Sequence, residues 1–149
     1  MDLLARLVGV GKNRLVKPLL LLCLILSAAF AELPPSAYEA MQANAPESLQ
    51  IQVLRIDVEP GEKDSAQDIV IMATVEKVVR TTSGLKPGDV ITVTYSLEDR
   101  PPGWVGPGQV PLLAQGDSRV AYLKKLEKPE TYAPAAGAMS FENFVTDKS

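Results

Sequence analysis

Histidine is missing from this chain altogether, and cysteine occurs once, at Cys23. The first absence removes the imidazole base on which Ser-His-Asp and Cys-His enzymes depend near neutral pH. Together the two absences remove the ordinary zinc, iron–sulfur and blue-copper sites, which need clustered imidazoles and thiolates. Positive charge is not in excess either: 15 Lys and Arg stand against 18 Asp and Glu, a formal net charge of -3. A nucleic-acid binder needs a basic stripe to neutralise phosphates, so that class is excluded. Aromatic residues make up 5% of the chain, with a single tryptophan, Trp104. The composition therefore calls for no catalytic residue, no metal and no cofactor, and the chain reads as a non-enzyme.

What is present begins with an address. Residues 1–17 carry Arg6, Lys12, Arg14 and Lys17 against Asp2, and residues 19–30 form an uncharged run, LLLLCLILSAAF. The run ends in Ala29-Phe30-Ala31, the small-x-small pattern of a signal-peptidase site. A basic start, a short apolar run and small residues in that order describe a secretory signal peptide cleaved after Ala31. The competing reading is an uncleaved anchor, but the stretch between Lys17 and Glu32 is short of the roughly 20 apolar residues that span a bilayer. A lipoprotein reading fails because Cys23 lies in mid-run. Cleavage removes Cys23, so the exported chain has no thiol, no disulfide framework and a more acidic balance. The expected compartment is periplasmic or extracellular, without stable membrane insertion after cleavage.

The remainder divides into a leader with a short helix (32–47), a strand-rich domain (48–144) and a frayed tail (145–149). Ser36 and Glu39 fit a capping box ahead of a helix over 37–43, with Tyr38 and Met41 docking on the domain. From Ser48 the period changes to two: Leu49, Ile51 and Val53 share one face. At Val53-Leu54 two apolar residues are adjacent and the phase flips, placing Leu54, Ile56 and Val58 inward. That one-residue slip is the signature of a β-bulge, which bends a strand so that it can serve both halves of a barrel. Residues 68–80, rich in Val and Ile, favour a strand over a helix, central because its first half is apolar on both faces. Lys86-Pro87-Gly88-Asp89 suits a type II turn. Residues 90–96 alternate cleanly. A loop with three prolines and three glycines covers 98–108, and 110–114 is either a short strand or a bridge. Further strands are expected over 119–126 and 138–144, the last carrying Met139, Phe141 and Phe144, with a loop between them.

Four or five strands with a bulge and Gly-Pro corners describe a small, mainly β, OB-like barrel with one short N-terminal helix. The segments Ala73-Thr74-Val75-Glu76-Lys77-Val78, Gly84 to Val93, Pro111 to Gly116 and Tyr122-Leu123 resemble the netrin/tissue-inhibitor-of-metalloproteinase (NTR-like) type of OB-fold barrel, bacterial exported members included. The resemblance covers about 49–144 and implies that fold. The animal inhibitors begin with a cysteine whose amine and carbonyl chelate a target's zinc. This chain has no such cysteine, so the inhibitor mechanism does not carry over.

Three residues stand out as binding candidates: Arg100 and Trp104 on the Pro/Gly-stiffened loop, and Tyr132. Trp and Arg are the residues most enriched in binding hot spots, and loops on rigid barrels carry recognition. The structural alternative is that Trp104 plugs one end of the barrel. Glu59, Glu62, Asp64 and Asp68 make an acidic turn without the D-x-D-x-D-G spacing of a calcium loop. Lys124, Lys125 and Lys128 read as charges protecting a strand edge. No pair among the serines and lysines stands out as a dyad. The functional expectation is a non-enzymatic binding or accessory module of the bacterial envelope, with a protein, peptide or glycan as partner. The alternative is a small carboxylate-based hydrolase or a protease-inhibitor-like protein acting through a loop.

Overall fold

The computed structural model describes residues 33–62 and 66–143. The segment expected to be an export signal, the expected frayed tail, Phe144 and Asp64 of the acidic turn lie outside them. Helix α1 (Pro35–Asn44) precedes β1 (Glu47–Pro60), β2 (Ala66–Arg80), β3 (Val90–Glu98), β4 (Ser118–Lys125), β5 (Thr131–Pro134), a 3-10 turn (Gly137–Met139) and β6 (Phe141–Asn143). Among the described residues no helix is long and apolar enough to cross a membrane.

Strands β1, β2 and β3 form an antiparallel meander, and the ring runs β1-β2-β3-β5-β4 and back to β1. The closing bond pattern is a short parallel contact in which Thr92 and Val93 meet Thr131 and Tyr132. The protein is thus a closed, five-stranded OB-like barrel with one helix. β5 and β6 share one edge of β4. The N–H of Tyr122 donates to Ser140, and its carbonyl accepts from Ala135, so the 3-10 turn only interrupts a single run of pairing. Side chains at Leu49, Ile51, Ile69, Ile71, Val75, Ile91, Val93 and Leu123 are fully buried within the ring.

The bulge lies where the two adjacent apolar residues placed it. Val53 faces Ala73 and Arg55 faces Met72, which leaves Leu54 as the extra residue. Two further shifts occur earlier in β1, at Ser48/Leu49 and Gln50/Ile51. The phase does flip, for Ile56 pairs with Ile71 and packs against the core. Leu54 and Val58, however, are exposed rather than inward. Leu54 is the unpaired residue, and β1 has lost its β4 partner by Val58, so no second wall covers either of them.

Other expectations fare differently. The helix begins two residues earlier than a Ser36 cap allows: Pro34 occupies the N-cap position, Pro35 the first turn, and no side chain caps the end. Proline presets φ for the first helical residue and has no N–H to satisfy, so a hydroxyl cap is unnecessary. Tyr38 is buried but Met41 is not. β2 is central as expected, paired with β1 and β3, although Met72 on its outer face is exposed because that face of the barrel has no covering layer. Of the two alternatives for residues 110–114 the structure has the bridge, with Leu113 reaching the core, while Met139 stays outside and Phe141 is buried. Lys124 and Lys125 pair with β5 on one side, while the β1 partner on the other side ends at Leu123, so the two lysines sit at a strand end with one side unpaired among the described residues.

Candidate functional site

The loop between β3 and β4 is held at its neck by one side chain. Gln109 accepts from the Glu98 N–H at 3.0 Å and donates from Nε2 to the Glu98 carbonyl at 3.0 Å. A primary amide offers the same donor and acceptor as a peptide, so Gln109 takes the place of a neighbouring strand. Two further bonds tie down the return leg. Tyr95 Oη donates to the Pro111 carbonyl at 2.8 Å, and Val53 exchanges bonds with Gly116 and Asp117. Burial pushes the Tyr95 hydroxyl up to about 12, which keeps it a donor.

Between these anchors the chain makes a tight turn. Trp104 N–H donates to the Pro101 carbonyl at 3.1 Å, with Pro102 second and Gly103 third at φ 81°. Proline presets the second residue of a type II turn, and the third needs the positive φ that glycine supplies. The turn brings Trp104 back beneath Arg100, whose guanidinium carbon lies 5.0 Å from the ring centroid. That geometry is a cation–π contact. Arg100 also donates to the Pro107 carbonyl across the loop. A Cβ on Gly106 would lie 2.9 Å from Trp104 Cζ2, so the ring rests directly on glycine backbone. Trp104 is nonetheless 51% exposed and Val105 77%. The indole does not plug the barrel. It is an outward-facing ring set in a rigid frame.

Tyr132 is not part of this surface. It is fully buried, and its hydroxyl shares a 3.0 Å hydrogen bond with Ser83 Oγ. The parallel register with Val93 turns the side chain inward, so of the three candidates only Arg100 and Trp104 come together.

The network near Tyr132 contains a residue that sequence reading did not single out. Glu47 has no exposed surface, and its Oε1 accepts from Thr82 N–H, Thr82 Oγ1 and Ser83 N–H at 3.2, 2.9 and 3.0 Å. Burial pushes its pKa up, but hydrogen bonds from Thr81, Thr82 and Ser83 outweigh it and hold the carboxyl below its ordinary value. Oε2 is buried with no hydrogen-bond partner. The carboxylate is therefore an ionised brace for the β2–β3 turn, with its accepting oxygen already filled. No local signal marks it, because every donor comes from a turn some 35 residues away.

A second polar cluster docks the helix. Gln42 donates to the Met139 carbonyl at 3.0 Å and to Glu142 at 2.7 Å, while Arg80 donates to the Ala45 and Gln42 carbonyls at the helix end. Burial, reinforced by the neighbouring Glu142 carboxylate, raises the Tyr122 pKa. Among the described residues no group of three or more acidic, Cys or His side chains is placed to hold a metal ion. No family model matches this chain, and no curated protein or solved structure matches it.

Proposed function

We propose that this protein is an exported, non-enzymatic binding module of the bacterial envelope, built on an NTR-like variant of the OB barrel. In this reading the β3–β4 loop presents Trp104 and Arg100 to a protein or peptide partner. The observation that carries it is the exposed Trp104, held between Arg100 and Gly106 on a loop pinned by Gln109. Such a ring exposes a large apolar area at little entropic cost on binding, since its frame is already ordered. The glycan and hydrolase readings have no comparable support. Among the described residues the one deeply buried carboxylate, Glu47, spends its hydrogen bonds on a turn.

A photo-crosslinking amino acid placed at position 104 of the full chain tests the proposal in the native envelope. A discrete protein adduct is expected from position 104 and not from the exposed Gln67 on β2. No adduct at 104, or the same adducts at both positions, removes the loop as a binding site.

A further inference from the structure

The barrel leaves one strand edge open, and that edge is complementary to itself. β1 pairs with β4 only over residues 47–52, and the Val53 N–H and carbonyl are taken by Asp117 and Gly116. From residue 54 to Pro60 that side of β1 has no strand partner among the described residues. The opposite end of the meander is treated differently. The β3 edge is paired with β5 at Thr92 and Val93 and covered by the Gln109 amide at Glu98. An unpaired row of N–H and C=O groups is a template for another strand unless something blocks it.

The residues on the open edge read Leu54-Arg55-Ile56-Asp57-Val58. Laid antiparallel against a second copy with Ile56 at the centre, Leu54 meets Val58, Arg55 meets Asp57 and Ile56 meets Ile56. Apolar opposes apolar and each cation opposes an anion, twice over by symmetry. The register centred on Asp57 sets two carboxylates against each other, and half-step registers oppose charge with apolar side chains; both are disfavoured. The ladder has natural ends: Val53 is already bonded, and Pro60 has no N–H. Leu54 and Val58, which no wall of the barrel covers, are 38% and 48% exposed and so available to a second copy. Arg55 and Asp57 are bridged at 2.8 Å within the strand, on one face, with side chains 67% and 41% exposed. Pairing two copies turns this bridge into an alternating four-charge row.

We infer that two copies of this chain associate through the 54–58 edge of β1, forming an antiparallel two-fold pair centred on Ile56. The contact is short, so a weak, concentration-dependent dimer is expected rather than an obligate one. This inference is independent of the loop-binding proposal and uses none of its residues.

The test uses the full chain with Cys23→Ser. Leu54→Cys and Val58→Cys proteins are oxidised separately and as a mixture. In the proposed register residue 54 lies opposite 58 of the partner, while two residues 54 are about 13 Å apart, beyond disulfide reach. Mixed disulfide is expected at more than tenfold the yield of either homodimer. Equal yields of all three signify random collision and overturn the register. Sedimentation of charge variants supplies the second arm. Arg55→Asp and Asp57→Arg should each abolish the dimer, and the double variant should restore it. A chain that is monomeric at every concentration, or a dimer indifferent to these changes, sinks the inference.

Discussion

Strand β1 is held on both sides before its bulge and on one side after it. From Ser48 to Gln52 it lies between β2 and β4, and Leu49 and Ile51 are fully buried. After Leu54 only β2 remains as a partner, and the burial of the inward residues falls away through Ile56 to the exposed Val58. The same alternation of Ile, Val and polar residues thus serves a closed wall in one half and a flared wing in the other. Burial of a strand residue depends on how many walls face it, and its hydrophobicity does not decide that.

Several variants can sharpen or break this contrast. Ile51→Ala removes a side chain from the closed half and should cost about 2–5 kcal/mol, as for large-to-small changes in packed cores. Ile56→Ala, in the half-buried region, should cost about 1 kcal/mol. Urea melts that give the two variants equal losses would show the flared half to be as tightly packed as the closed one.

Glu47, which joins the closed half to the β2–β3 turn, falls between these two variants in expected effect. Glu47→Ala strands three donors and should cost about 1–3 kcal/mol at neutral pH. Its folded pKa lies below the ordinary value of 4.5, so the carboxylate stabilises the fold above that pH. The contribution is lost as the pH falls through the lower, folded value. The gap in stability between native chain and variant should therefore narrow on acidification below pH 4.5, and a gap that stays constant to pH 3 would contradict the brace.

Trp104 should show the smallest effect. The loop lies outside both halves, so Trp104→Ala should shift stability by no more than about 0.5 kcal/mol while exposing the Arg100 guanidinium. A melt lowered by several times that amount would place the indole inside the packing of the barrel.

The bulge was legible because Val53-Leu54 puts two apolar residues side by side, which no regular half-buried strand does. The turn chemistry at Pro87-Gly88 was legible for a similar reason, since Gly88 adopts φ 95°. The association of Arg100 with Trp104 was suggested by their shared short loop. β5 was not legible. Thr131-Tyr132-Ala133-Pro134 is four residues long and ends in proline, and it is a strand only because β3 and β4 flank it. Tyr132 was misplaced as a surface residue for the same reason.

The sequence by itself determined the local conformations: where strands alternate, where the bulge falls and where proline and glycine turn the chain. These rest on steric limits and on side-chain period, which act over a few residues. The tertiary structure alone decided that Tyr132 and Glu47 are buried, that Gln109 caps β3 and that one edge of β1 stays open. Each depends on a register or a hydrogen-bond partner far away in the chain, and local pattern carries no record of which distant backbone will arrive beside it.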